Sequence, residues 1–242
     1  MRILCSIQDA ERQGWALAFE EKGHAFSFFD KKVSPHNACQ LFKPDIFLHN
    51  DDMPPRNIQN ACSKYKVVMI NVNRYDIPIC GNTFAYQVQG GHDREDFIAV
   101  FGRPNPEGLS VVSQFMLHDT IRIFSDVRWP YNEYCGFLNP TQFATICSKA
   151  KACLVAEPKP SILHYNACLC GANLLTMEEM DVGTPILNDK HLITNINKYI
   201  GSKTAFLKQM MDFTYVKQGR DCRIIPQIIE SIYEQEKTGI RT

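Results

Sequence analysis

The sequence predicts an α/β protein made of two small, doubly wound domains, each with a parallel sheet. Two observations predict this fold class. Short continuous apolar runs alternate with segments of helical spacing, and this alternation stops near residue 75 and resumes near residue 97. Continuous apolar strands separated by helix-length gaps are typical of a parallel sheet covered on both faces, with right-handed crossovers. A length of 242 residues suits one to two domains.

The first domain is predicted over residues 1–92. Its strands are expected at residues 1–7, 24–30, 45–49 and 66–72. Its helices are expected at residues 9–22, 35–42 and 54–65. Gly23 supplies a C-cap for the first helix, and Pro54 with Pro55 opens the third. Residues 75–96, which include the pair Gly90-Gly91, are interpreted as the connection between the domains.

The second domain is predicted over residues 93–242. Strands are expected at residues 97–101, 121–124, 152–156 and 173–176. Helices are expected at residues 109–117, 140–150, 161–170, 192–200, 203–211 and 225–236. Parallel α/β domains bind ligands at the carboxyl ends of their strands. The tandem therefore predicts a ligand cleft between the carboxyl ends of the two sheets.

Composition excludes several classes of protein. Hydrophobic residues make up 45% and charged residues 21%, which excludes disorder, collagen and coiled coil. Lys+Arg 26 balances Asp+Glu 26, so a nucleic acid or an anionic lipid surface would have to meet a local patch. No apolar run is long enough to span a bilayer, and the first residues lack the apolar core of a signal peptide. We expect a soluble cytoplasmic protein.

The ten cysteines are interpreted as buried, reduced thiols. Most of them lie inside apolar runs, where a thiol behaves as a small hydrophobic group. The close pair Cys168 and Cys170 lies in a predicted helix, where this spacing points the two sulfurs apart. No histidine at zinc spacing accompanies them, so we predict no metal site.

The second half resembles the donor-binding domain of GT-B glycosyltransferases, nearest to the group-1 and CgeB-like branch. The likeness runs over roughly residues 97–235 and depends on the order of several short pieces. These pieces are Gly102-Arg103 after a strand, Gly136, the segment SKAKACL at 148–154, the helix NACLCG at 166–171, and the passage GTPILNDKHLITNINKYIGS. The resemblance implies two Rossmann-like domains facing a cleft and transfer of a sugar from a nucleotide-sugar, UDP-sugar first among donors.

Three positions depart from the family pattern. Asn166 stands where the family has a ribose-binding Glu, and Glu157 lies near but not at the earlier acidic position. The Lys that the family often pairs with the Arg for diphosphate binding would fall near Glu107. Asn can still hydrogen-bond a sugar hydroxyl but adds no charge. These departures affect the identity of the donor more than the fold.

Sugar transfer needs a site for the diphosphate, stabilisation of its charge as it leaves, and an oriented acceptor hydroxyl. Helix N-termini and cationic side chains supply the first two, and this design needs no metal. The predicted donor-binding residues are Gly102, Arg103, Arg128, Lys159, Ser161, His164 and Asn166. Each has a simpler interpretation, such as a solvated loop cation, a helix cap or a packed core histidine.

On the acceptor side, Asp9 and Asp51 are the predicted catalytic residues, since an inverting enzyme needs a general base. The resemblance implies a retaining enzyme, which need not have one, and both residues also suit ordinary helix entries. The expected acceptor is a glycan, a small molecule or a modified DNA base, and a hydroxymethylated base would suit a compact phage or viral enzyme. A DNA-facing patch is one interpretation of Lys31, Lys32, Arg56, Lys64, Lys66 and Arg74, and scattered surface charge is the other.

Two other functions remain open. The chain can be a catalytically silent module that binds a nucleotide or a sugar nucleotide, which the departures at Asn166 and Glu107 favour. It can also be an unrelated two-domain α/β protein of the periplasmic-binding or response-regulator type. The absence of an export signal and of a clustered acidic phosphoacceptor site makes this second alternative weaker. The sequence does not disclose the oligomeric state.

Overall fold

The computed structural model describes residues 1–75, 77–88, 93–186 and 190–238. The chain divides into two compact units. The first comprises Met1–Pro78 with Cys222–Thr242, and the second comprises Ile79–Asp221. The predicted Gly90-Gly91 connection and residues 187–189 of the family-like passage lie outside the described residues.

The first unit contains a parallel sheet with strand order β2-β1-β3-β4. Its strands are β1 (Arg2–Cys5), β2 (Ala25–Phe28), β3 (Ile46–His49) and β4 (Val68–Asn71). Its helices are α1 (Ala10–Glu21), α2 (Pro35–Phe42), α3 (Arg56–Tyr65) and, near the end of the chain, α10 (Ile225–Thr238). Leu4 and Phe47 of the two central strands pack with residues of α2 and α3 in one apolar cluster.

The second unit contains a parallel sheet with strand order β10-β9-β8-β5-β6-β7. Its strands are β5 (Glu95–Phe101), β6 (Ile121–Phe124), β7 (Tyr134–Gly136), β8 (Ala150–Val155), β9 (Leu174–Thr176) and β10 (Thr184–Pro185). Its helices are α4 (Pro106–Phe115), α5 (Pro140–Lys149), α6 (Ile162–Leu169), α7 (Lys190–Thr194), α8 (Ile196–Ile200) and α9 (Lys203–Gly219). The alternation of strand and helix confirms the α/β prediction.

Both faces of the second sheet are covered, which explains its continuous apolar strands. In β5, Phe97, Ala99 and Phe101 point into one core cluster, and the alternate residues Ile98 and Val100 point into another. This alternation follows from the two-residue period of a strand. The ten cysteines all lie in the described part of the chain, no disulfide joins them, and nine are buried while Cys135 is exposed.

The C-terminal helix belongs to the first unit, which differs from the predicted division at residue 92. His24 Nε2 lies 2.7 Å from the Glu230 carboxylate of α10, and the Arg223 guanidinium pairs with Glu21 of α1 at 3.0 Å. Ile229 and Ile232 of α10 are buried. A helix distant in sequence therefore completes the first unit. Among the described residues, none of the helices combines the length and the apolar character needed to cross a membrane.

Candidate functional site

The order of strands in the second unit creates a switch point between β5 and β8. The chain leaves β5 for β6 on one side, then returns as β8 on the opposite side of β5. The loops that follow β5 and β8 therefore diverge from neighbouring strand ends, and such a crevice is where open α/β sheets bind ligands. Gly102 and Arg103 follow β5, and Glu157, Lys159 and Ser161 follow β8.

Gly102 brings the two loops close together. Its φ of 103° lies in the region that favours glycine, and a Cβ at this position would lie 3.1 Å from Cγ of Glu157. The buried indole of Trp129 donates from Nε1 to the Gly102 carbonyl at 3.0 Å. A side chain at residue 102 would therefore crowd the Glu157 side chain.

Arg103 is an exposed cation of this edge, and its side chain is 70% exposed. Its Nε lies 3.1 Å and 3.2 Å from the two carboxylate oxygens of Asp126, and its Nη2 lies 2.5 Å from one of them. These hydrogen bonds lower the pKa of Asp126 and raise the pKa of Arg103. Because the pair faces solvent, exchanging Asp126 for another anion costs little.

Asn105 ties the loop after β5 to the end of β8. Its side-chain oxygen accepts the Gly108 N–H at 2.8 Å and so caps α4. Its amide nitrogen donates to the Ala156 carbonyl at 2.5 Å. The two loops that flank the switch point are thus joined by a side chain that also fixes where α4 begins.

The loop after β8 carries an exposed Lys159, a half-buried Glu157 and the N-cap residue Ser161 of α6. The Ser161 N–H donates to Nδ1 of His164 at 3.2 Å, which occupies a main-chain donor at the start of this helix. Arg128 is exposed on the loop after β6, beside the buried Trp129. Five of the predicted donor-binding residues, Gly102, Arg103, Arg128, Lys159 and Ser161, thus lie at the carboxyl edge of this sheet.

In the first unit the switch point lies between β1 and β3, and the two predicted catalytic residues follow those strands. Asp9 accepts the Arg12 N–H at 2.9 Å as the N-cap of α1, and its carboxylate also pairs with the Arg12 guanidinium at 3.3 Å. Asp51 has an exposed side chain, while its carbonyl accepts from His49 Nδ1 and Asn71 Nδ2, both at 3.0 Å. The main-chain bonds hold the Asp51 loop in place and leave its carboxylate in solvent.

Comparison with solved structures connects this architecture to glycosyltransferases. A glycosyltransferase from Rickettsia africae shares 9% identity, with 97% of this chain and 89% of that chain covered and a TM-score of 0.55. An alpha1,3-fucosyltransferase shares 10% identity, with 97% and 90% covered and the same TM-score. No protein-family profile and no curated protein matches the sequence.

The chain has a GT-B-like fold. This confirms the fold that the short motifs between residues 97 and 235 predicted. The motifs lie on elements of the second unit of this GT-B-like chain: Gly102-Arg103 follows β5, Gly136 ends β7, and residues 166–171 run from α6 into its C-terminal turn. At 9% and 10% sequence identity, the likeness to these structures shows the fold alone.

Two predicted donor-binding residues need correction, because α6 buries both of them. Asn166 is 1% exposed, and its side-chain oxygen accepts the Asn82 N–H at 2.8 Å. His164 is fully buried, and burial lowers its pKa to about 4. Since residues 164–169 of this helix are all buried, these side chains stabilise the GT-B-like unit from inside and are closed to a donor.

His164 is held as a neutral imidazole. Its Nδ1 accepts from Ser161, so the proton lies on Nε2, which is buried with no hydrogen-bond partner among the described residues. A charged imidazole there would lose its hydration without gaining a compensating partner. His164 is therefore a source of pH-dependent stability in the second unit.

Sequence reasoning missed Asp126 as a partner of Arg103 and Asn105 as a link between the two loops. The Asn-Pro pair at residues 105–106 is a recognisable start of a helix and was the available signal for Asn105. The pairing of Arg103 with Asp126 had no local signal, because the two residues are 23 positions apart. Glu157 was noted in the sequence, but its contact with Gly102 required the structure.

The predicted DNA-facing patch divides between the two edges of the first sheet. Lys31 and Lys32 follow β2, Arg56 begins α3 after β3, and Arg74 follows β4, so these four belong to the carboxyl edge. Lys64 lies in the last turn of α3 and Lys66 follows that helix before β4, so both belong to the amino edge. The patch is therefore reduced to four cations. Among the described residues, no group of three or more His, Cys, Asp or Glu is arranged to hold a metal ion.

Proposed function

We propose that this protein is a glycosyltransferase that moves a sugar from a nucleotide-sugar donor to an acceptor hydroxyl without a metal ion. The observation that carries the proposal is the switch point between β5 and β8, where Gly102, Arg103, Glu157 and Lys159 share one edge of a GT-B-like unit. The glycosyltransferase structures of similar fold support the same reaction class.

Each of these residues has a distinct role in the proposed donor site. Arg103 exchanges Asp126 for the diphosphate, since guanidinium groups bind phosphate through two parallel hydrogen bonds. Lys159 adds a second positive charge on the loop after β8. The Glu157 carboxylate accepts hydrogen bonds from the ribose hydroxyls, and Gly102 leaves the space beside it open. Arg128 is a further cation available to the leaving diphosphate.

The same charges assist the chemical step. As the bond between the sugar and the diphosphate breaks, negative charge grows on the leaving phosphate oxygen. Fixed positive groups lower the free energy of that transition state, and they do so without a metal. We propose UDP-sugar as the first donor to test and, following the GT-B group-1 resemblance, retention of configuration at the sugar.

The first unit is the proposed acceptor side. A cavity of about 390 Å³ lies after β1 and β2 and is lined by Ser6, Gln8, Asp30, Lys31 and Lys32. If the enzyme inverts configuration, Asp51 is the better general base, because the Asp9 carboxylate already caps α1. The acceptors to test are glycans, small alcohols and hydroxymethylated DNA, whose phosphates the four carboxyl-edge cations would meet.

A thermal-shift panel of nucleotide diphosphates, sugar nucleotides and inorganic pyrophosphate tests the donor site. Ligand at 100 times its Kd adds about 2.7 kcal/mol to stability, which gives a visible shift. Arg103→Ala should weaken nucleotide and pyrophosphate binding alike, whereas Glu157→Gln should weaken only ligands that contain ribose. The matched control is Arg122→Ala. Arg122 pairs with Glu95 near the amino ends of β6 and β5, whereas Arg103 and Asp126 follow the carboxyl ends of the same two strands.

Release of nucleotide diphosphate from the sugar nucleotide distinguishes an enzyme from a silent binder. An active transferase hydrolyses its donor slowly, with and without a chelator, and Arg103→Ala slows the release. Stabilisation by the nucleotide without any release would favour the silent binding module. Absence of any shift, or equal loss with Arg103→Ala and Arg122→Ala, would contradict the proposed donor site.

A further inference from the structure

Helix α9 exposes an unusual number of large apolar side chains. Phe206, Leu207, Met210 and Met211 are between 48% and 67% exposed. They are spaced as i, i+1, i+4 and i+5, which places them together on one side of an α-helix. The opposite side of α9 packs onto the second unit through the buried Ala205, Asp212 and Val216. We call the four exposed side chains the α9 face.

Lysines stand at both ends of the α9 face. Lys203 and Lys217 are exposed and lie three residues before Phe206 and seven residues after Met210, on the same side of the helix. At a rise of 1.5 Å per residue they are about 21 Å apart along the axis. An apolar centre with a cation at either end matches a lipid surface, in which lysine stems reach the headgroups while apolar groups enter below them.

The charge of this region differs from that of the whole chain, which has a formal net charge of zero. Residues 191–219 contain four lysines, at positions 198, 203, 208 and 217, and one acidic residue, Asp212. Asp212 is buried, accepts the Gly183 N–H at 2.9 Å and pairs with Lys208. The solvent side of α9 therefore presents positive charge without a competing carboxylate of its own.

We infer that α9 is a peripheral docking surface for an anionic lipid membrane, lying flat on the headgroups with the α9 face inserted. The positive ends select anionic over neutral lipid, and the apolar centre retains the protein once it has arrived. Methionine suits this role because its flexible side chain adapts to a disordered surface. A second copy of the chain is the other occupant of an apolar face, and the experiment below distinguishes it from a membrane.

Vesicle flotation of the full chain tests this inference. We expect it to float with vesicles of phosphatidylcholine and phosphatidylglycerol and to stay at the bottom with phosphatidylcholine alone. Added salt should reduce flotation, because the attraction to headgroups is screened. The double variant Phe206→Ser with Met211→Ser and the double variant Lys203→Glu with Lys217→Glu should each bind anionic vesicles at least about tenfold more weakly.

Matched controls remove similar groups elsewhere. Leu41→Ser with Leu117→Ser deletes two side chains that are more than three quarters exposed, and Lys64→Glu with Lys237→Glu reverses two other exposed lysines. Both controls should float like the unmodified chain. Flotation that is unaffected by the α9 variants overturns the inference, as does equal binding to neutral vesicles. A soluble dimer that the α9 variants convert to a monomer, with no flotation, would assign the face to a second copy instead.

The test is independent of the donor site. The α9 variants should keep the thermal shift that the unmodified protein shows with its nucleotide ligand, since none of the changed residues belongs to the carboxyl edge of the sheet. A variant that loses both lipid binding and its cooperative melting transition has unfolded. In that event the variant Lys203→Glu with Lys217→Glu decides whether α9 binds lipid, because reversing two exposed lysines leaves the packing of α9 intact.

Discussion

The two edges of the second sheet carry ion pairs of opposite character. At the amino edge, Lys151 is 8% exposed, and its Nζ lies 2.6 Å from Asp96, 2.6 Å from Asp119 and 2.7 Å from the Asn197 side chain. At the carboxyl edge, the Arg103 and Asp126 pair faces solvent. Both edges join residues that are far apart in sequence, but the amino edge buries one of its ion pairs, Lys151 with Asp119, while the Asp96 side chain of the same network stays exposed.

This difference separates an ion pair that stabilises the fold from one that can exchange its partner. Burial lowers the pKa of Lys151, but the hydrogen bonds with Asp119 and Asp96 outweigh it and raise the pKa overall, so the ammonium stays charged. Removing one partner would leave a charge buried and unpaired, which is costly. At the exposed edge a new anion can replace Asp126 with little loss. The amino edge therefore holds the fold, and the carboxyl edge is available to a ligand.

The largest expected effect comes from the amino edge. Lys151→Met should lower the free energy of unfolding by about 3–5 kcal/mol, because the Asp119 carboxylate, buried against the sheet, loses its counter-charge. Denaturant unfolding measures the loss, and Lys151→Arg should recover part of it. A loss below about 1 kcal/mol would show that the amino-edge network contributes little to the fold.

His164 gives the next largest effect, as a dependence of stability on pH. Its pKa is about 4 in the folded protein against 6.5 for the unfolded chain, so the unfolded state binds the proton first as pH falls. Stability is therefore complete above about pH 6.5 and declines towards pH 4, by about 3 kcal/mol at most. The decline should be smaller in His164→Gln, measured over the same pH range. Identical pH profiles would contradict burial of a neutral imidazole.

Asn166→Ala tests whether Asn166 contributes to the stability of the core or to nucleotide binding. The Asn82 N–H would lose its acceptor, which costs about 1–3 kcal/mol for a buried group. Because the side chain is closed to a donor, nucleotide affinity should change by less than about twofold. Thermal unfolding and ligand titration on the same sample separate the two effects. A large loss of affinity at unchanged stability would restore Asn166 to the donor site.

The smallest effect on stability is expected at the carboxyl edge. Arg103→Ala removes an exposed pair and should leave the unfolding midpoint unchanged, as exposed ion pairs contribute little. The same change should weaken nucleotide binding by about tenfold, as expected for the loss of a charge-assisted hydrogen bond. Isothermal titration measures the affinity. A marked loss of stability would mean that the two edges differ less than their exposure indicates.

Much of the fold could be predicted from local signals. Helix α2 spans the predicted residues 35–42, and β6 spans the predicted residues 121–124. In the first case a Ser-Pro pair starts the helix, and in the second the segment Ile-Arg-Ile-Phe, with three apolar residues in four, is bounded by polar residues. Helix α9 extends eight residues beyond its predicted end at residue 211, because its apolar residues face both the core and solvent and give a weak helical period.

The apolar runs of the sequence did not predict the short edge strands β7 and β10. They contain three and two residues, and only pairing with a longer neighbour makes them strands. The membership of α10 in the first unit was missed for a related reason. The apolar pattern of α10 predicts an amphipathic helix but does not indicate which surface its apolar side packs against.

The sequence by itself determined the α/β class, most helix and strand positions and a set of residues at the carboxyl ends of strands, because caps, apolar runs and strand period act over a few neighbouring residues. Only the tertiary structure decided which of those residues stay exposed at the carboxyl edge and which are buried. It closed His164 and Asn166 inside the unit, paired Arg103 with Asp126 and set Gly102 against Glu157. Such choices depend on which loops the sheet order brings together, and that order is a property of the whole chain.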